Sequence, residues 1–97
     1  MIRHVVLFTW TQDMTEEKEK QATAELTALA QTLPGLRAYH AGPDAGIVEG
    51  NFDYAVVADF DDADSYLAYR NNPEHQDIIR RLTAPNMATR ASVQYEI

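Results

Sequence analysis

The segment Ile2–Trp10 constrains the fold most. It is rich in the β-branched and aromatic residues that suit a pleated, buried surface. Its apolar side chains fall on both faces. Ile2, Val6, Phe8 and Trp10 point one way with His4, and Val5 and Leu7 point the other. A strand apolar on both faces needs cover on both. With 97 residues the chain makes one domain, whose own helices supply one covering layer. The second face needs cover from elsewhere.

The rest of the chain supplies the other elements. Asp13 to about Leu33 carries Ala22, Leu26, Leu29, Ala30 and Leu33 at helical spacing. Asp13 and Glu16 form a capping pair, and Pro34-Gly35 ends the helix. Leu36–Gly42 reads as a second strand, followed by a loop through Pro43, Gly46 and Gly50. Phe52–Phe60 is a third strand, with Phe52, Tyr54, Val56, Ala58 and Phe60 on one face. Asp61, Asp62 and Asp64 open a short helix to about Arg70. Asn72-Pro73 restarts a helix that runs to about Thr83, and Thr89–Ile97 is the last strand. There is no internal repeat or linker, so residues 1–97 form a single domain.

The order βαββαβ predicts an α+β, ferredoxin-like fold: a four-stranded antiparallel sheet with helices on one face. The row Phe52, Tyr54, Val56 and Phe60, added to the two-faced first strand, is expected to leave an uncovered apolar sheet face. A second copy of the chain would close it, sheet to sheet, into a dimeric α/β barrel.

Charge excludes several partners. Fifteen acidic side chains against eight basic ones give a net charge of −7. Binding to nucleic acid or to an anionic membrane surface needs lysine and arginine in excess, so neither is expected. No apolar run is long enough to span a bilayer. Without cysteine there is no disulfide, thiol nucleophile or thiolate metal site, and a cytoplasmic location is the expectation. The acidic run Asp59–Asp64 caps a helix and lacks the spacing of a calcium loop. No metal and no cofactor are expected. Arg70, Arg80, Arg81 and Arg90 gather late in the chain, as a candidate anion site or as solvated helix faces with intrachain pairing.

No glycine-rich phosphate loop or nucleophile elbow is present. The candidates for proton transfer are three histidines. His75 lies in the first turn after Asn72-Pro73, on the stripe formed by Ile78, Ile79 and Leu82, and so faces inward. Its two readings are a base and a core histidine. His4 shares a strand face with Val6 and Phe8 and needs a partner if buried. His40 reads as peripheral. Tyr69 precedes His75 by six residues across a helix break, where a phenol and an imidazole can converge.

Four segments taken together resemble the stress-responsive dimeric α/β-barrel family. They are Met1–Phe8, Glu49–Phe60, Tyr69–His75 and Ser92–Glu96. The resemblance spans essentially the whole chain. It implies a ferredoxin-like protomer whose sheets pair into a barrel. The family includes proteins of unsettled chemistry and a cofactor-independent polyketide cyclase. By the Tyr-x5-His spacing and the proline two before the histidine, the cyclase's catalytic pair matches Tyr69 and His75, and a first-strand histidine matches His4. Two positions depart from it. Asn72-Pro73-Glu74-His75 stands where the cyclase has His-Pro-Ala-His, and Tyr54 stands where it has another pocket histidine.

The expected role is therefore binding of a small apolar or carbonyl-rich molecule near His75, with His4, Tyr54 and Phe8 as pocket or interface residues. A cyclase-like enzyme with His75 as base and Tyr69 as its partner is the alternative. A cofactor-free monooxygenase using Trp10, Asn51 and Tyr54 is a further one, drawn from the wider superfamily of ferredoxin-like dimers.

Overall fold

The elements run β1 (Ile2–Trp10), α1 (Glu16–Ala30), β2 (Leu36–Pro43), β3 (Tyr54–Phe60), α2 (Ala63–Asn71), α3 (Pro73–Ile78) and β4 (Met87–Glu96). This computed structural model describes all residues, Met1–Ile97. The sheet order is β2-β3-β1-β4, and every neighbouring pair is antiparallel. The fold is the expected ferredoxin-like α+β arrangement.

Local chemistry moves several boundaries. α1 begins at Glu16 because Thr15 is its cap: its backbone is extended, and Thr15 Oγ1 accepts a hydrogen bond from Lys18 N at 3.1 Å. Asp13 lies outside the helix, where its carbonyl accepts from Lys18 Nζ. α1 ends at Ala30, short of Leu33. Pro34 disfavours the helical conformation for the residue before it, and Thr32 Oγ1 donates to the Leu29 carbonyl at 2.8 Å. Gly35 turns the chain at φ +80°, and a Cβ there would lie 2.3 Å from Ser65 Oγ. After Ile78 the helix widens into a π turn, Ile79–Thr83, and then tightens into a 3₁₀ turn, Ala84–Asn86, that contains Pro85.

The register fixes which face is covered. His4 lies opposite Ala58 and Gln94, and Phe8 opposite Tyr54 and Arg90. That parity corrects one expectation. The row Tyr54, Val56, Ala58 and Phe60 does not lie on the uncovered face. All four are buried beneath the helices, and Phe52 is outside the strand and exposed. The large side chains fill the space between sheet and helices, where they displace most water. On the helix side Leu26, Leu29 and Ile78 form a cluster of their own, which Tyr39 joins to the sheet's, while Phe60 and Ala58 pack against Tyr69.

The uncovered face carries smaller side chains. Val5 stands between Val57 and Val93, and Leu7 between Ala55 and Ala91. At one end Arg3 Nε and Nη2 donate to the Asp59 carboxylate at 2.7 and 2.9 Å, in the bidentate geometry that suits arginine. The second apolar face foreseen from β1 is thus present, and it is built mainly of valine, leucine and alanine, with Tyr95 opposite Arg3 at one end.

Candidate functional site

β1 carries His4, Val6 and Phe8 in one row under the helices. Tyr69 comes from the last turns of α2, and His75 from the first turn of α3. Asn72 joins the two helices. Its backbone is extended, and its Oδ1 accepts from Glu74 N at 2.8 Å and from His75 N at 3.1 Å. Pro73 fits the first position of the new helix. This break folds the chain back, so that the Tyr69 and His75 rings lie 4.1 Å apart, centroid to centroid, at 45°. His4 closes the cluster, with its ring 6.2 Å from Tyr69 and 4.9 Å from Tyr66.

His4, Tyr69 and His75 line one cavity of about 170 Å³. Val6, Phe8, Leu26, Val56, Ile79 and Met87 make its apolar wall. Arg70, Gln76, Thr83 and Arg90 add polar groups, and no carboxylate takes part. A larger groove of about 750 Å³ runs between α1 and β2 but has no histidine, tyrosine or arginine in its lining. Nowhere do three or more histidine, aspartate or glutamate side chains converge as metal ligands do.

Burial sets the protonation states. It lowers the His75 imidazole from its ordinary value, with the Arg70 carbonyl acting weakly in the opposite direction. His75 Nδ1 is sealed from solvent and has no hydrogen-bond partner. That leaves Nε2 as the nitrogen a ligand can reach. Burial, then the Arg90 and His75 charges, hold His4 at about 4. Gln94 Nε2 donates to His4 Nδ1 at 2.8 Å, which places the remaining ring proton on Nε2. Burial pushes the Tyr69 phenol up to about 12, so it keeps its proton at neutral pH. Tyr39 lies close to Tyr69 without an aligned hydrogen bond, and burial pushes its phenol well above the ordinary range. At neutral pH the cavity therefore holds two neutral imidazoles and a protonated phenol.

Of the residues expected at the site, the structure brings together His75, Tyr69, His4 and Phe8. Tyr54 lies outside the cavity. It is buried against Phe8 and Trp10, and its hydroxyl bonds to Thr23 Oγ1. Trp10 Nε1 donates to Glu19 at 2.9 Å and Asn51 Nδ2 to Asp44 at 3.0 Å, and neither residue reaches the cavity. His40 is exposed. Leu26, Met87 and Arg90 were not foreseen as cavity residues. For Arg90 the signal was the alternation of β4, which puts it on the same face as Phe8.

The family model for the stress responsive A/B barrel domain matches residues 2–97. No curated protein matches the chain. Among solved structures, a dimeric ferredoxin-like protein of unknown function from Thermobifida fusca is 38% identical, with a TM-score of 0.91 over 99% of this chain and 90% of that one. The hydroxynitrile lyase from Passiflora edulis is 18% identical, with a TM-score of 0.83 over 99% and 92% of the two chains. A candidate antibiotic biosynthesis monooxygenase from Nitrosomonas europaea is also 18% identical, with a TM-score of 0.82 over 99% and 97%. The last two likenesses concern the fold alone.

Proposed function

This chain belongs to the stress responsive A/B barrel domain family, and we propose that it binds a small carbonyl compound in the His75 cavity and moves a proton on it. One observation carries the reading: a neutral imidazole and a protonated phenol lie 4.1 Å apart, tilted by 45°, on the wall of a largely apolar cavity of about 170 Å³. A cavity of about 150 Å³ holds a benzene ring, so this one suits a ring with a short functional group. It is small for an extended polyketide chain.

In this reading the ring proton of His75 sits on Nδ1 and the lone pair of Nε2 faces the ligand. Nε2 takes a proton from the carbon beside the carbonyl. The Tyr69 hydroxyl donates a hydrogen bond to the oxygen on which negative charge develops. The apolar wall excludes water and strengthens both interactions. Returning the proton gives exchange or isomerisation, and attack of the enolate on a second carbonyl gives ring closure. The Passiflora edulis protein, named as a lyase of hydroxynitriles, shows the same fold supporting chemistry on a small molecule. The homodimer belongs to the same reading, since the Thermobifida fusca relative is described as dimeric and the uncovered valine-rich face is the surface available for pairing.

The test is hydrogen–deuterium exchange at the benzylic carbon of benzyl methyl ketone and of phenylpyruvate, followed by NMR in D₂O. Each rate is divided by its uncatalysed rate. Wild-type protein accelerates exchange of at least one probe, His75→Ala loses the acceleration, and Tyr69→Phe loses about tenfold or more. Full exchange with His75→Ala would refute the assignment of the base.

A further inference from the structure

The arginines divide into two groups. Arg3 pairs with Asp59, Arg37 with Asp61, Arg80 with Asp77, and Arg81 with Asp77 and Glu25. Arg70 and Arg90 alone have no carboxylate partner, and both line the His75 cavity. Acidic side chains outnumber basic ones by fifteen to eight, so a guanidinium left unpaired is not the result expected from composition. Two of them lining one cavity without a carboxylate present donors that an anion can accept from.

Position sharpens the point. Arg70 lies in the last turn of α2, where a cation also complements the helix dipole, and this gives it a structural role. Arg90 has no such role. It sits on the edge strand β4, opposite Phe8, makes no side-chain hydrogen bond to the protein, and turns toward the helix side of the sheet. Its charge is close enough to act on both His4 and Tyr69. The late cluster of four arginines is thus two different things: Arg80 and Arg81 pair with Asp77, Arg81 also reaching Glu25 on α1, while Arg70 and Arg90 line the cavity.

We propose that the ligand of this cavity is a monocarboxylate, its apolar body against Phe8, Val56 and Ile79 and its carboxylate held by Arg90 with help from Arg70. This rests on the reading of the cavity as the binding site and adds the chemical class of what it takes. Arginine's planar fork matches a carboxylate with two parallel hydrogen bonds. A protein of net charge −7 repels small anions in general, so an anionic ligand needs such a local site.

The test compares benzoate with benzamide, which have the same shape with and without the charge. Binding is measured by calorimetry at low and high salt on the full chain, with the wild type, Arg90→Gln, Arg70→Gln and the double variant. Both side chains are exposed and take part in no ion pair, so these variants fold. Benzoate should bind wild-type protein about tenfold or more tightly than benzamide, less so at high salt. Arg90→Gln removes most of that preference, the double variant removes all of it, and benzamide binding changes far less than benzoate binding. Equal binding of the two compounds, no binding of either, or a preference that survives in the double variant would overturn the proposal. The exchange experiment separates this from failure of the base: His75-dependent exchange of benzyl methyl ketone without a benzoate preference removes the carboxylate and keeps the base. An arginine-dependent benzoate preference without exchange of either probe does the reverse.

Discussion

His4 and Gln94 lie directly opposite each other on β1 and β4, and Gln94 Nε2 donates to His4 Nδ1 at 2.8 Å. The bond spans the sheet from its centre to its edge. It satisfies one nitrogen of a buried imidazole that is held neutral beside Arg90 and His75.

The pairing has a pH signature. His4 shifts from 6.5 to about 4 on folding, so the unfolded chain takes up a proton that the folded chain refuses. Above pH 6.5 both states are neutral and the group contributes nothing. As pH falls from 6.5 toward about 4, stability drops, by up to about 3 kcal/mol for this group alone. Below that both states are protonated and the loss stops growing. His75, lowered in the same direction, adds to the slope. Urea midpoints across this range should fall steeply for the wild type and less steeply for His4→Gln. An unchanged slope in the variant would show that His4 is not the titrating group.

His75 carries a stability cost that its proposed role explains. A sealed nitrogen without a partner is worth about 1–3 kcal/mol of destabilisation. His75→Leu should therefore hold or raise the denaturation midpoint while abolishing proton exchange. A clear fall in the midpoint would mean the imidazole is a structural element of the core.

Much of the fold was legible from β1, since a strand apolar on both faces in so short a chain leaves few arrangements. The Tyr69–His75 pairing was also legible, because Asn72-Pro73 can only break a helix and restart it. The identity of the open face was not. Hydrophobicity marked both faces of β1 and one face of β3, and which of them the helices cover is set by the sheet register and helix packing rather than by the pattern of either strand. Alternation put Tyr54 in the row of Val56, where it lies; its place in the pocket was implied only by the resemblance, and its hydroxyl bonds to Thr23 on α1 instead of reaching the cavity. Arginine pairing is a property of three-dimensional neighbours, and sequence order grouped Arg70 and Arg90 with Arg80 and Arg81.

Phe60 supports the site from below. It is fully buried, with its ring 5.3 Å from Tyr69 and 5.6 Å from Tyr66. Phe60→Ala should cost about 3–5 kcal/mol in chemical denaturation. Phe60→Leu, which refills most of the volume, should cost far less and keep probe exchange near wild type. Equal losses for the two would place Phe60 outside the core that positions Tyr69.

The open sheet face makes the last prediction, and two residues of similar chemistry separate its possible causes. Val93 is 53% exposed on the edge strand of that face, opposite Val5, whereas Ile47 is 83% exposed in the loop between β2 and β3. If exposure alone drove association, a charge at Ile47 would disrupt it more. If the flat face of Val5, Leu7, Val57 and Val93 is the dimer interface, a carboxylate at Val93 is buried without a partner between two sheets, and that costs several kcal/mol. Val93→Glu should therefore sediment as one chain and Ile47→Glu as two, with near-wild-type circular dichroism for both, since neither side chain is in the protomer core. Dissociation by Ile47→Glu with Val93→Glu still dimeric would move the interface off the sheet and onto the loop.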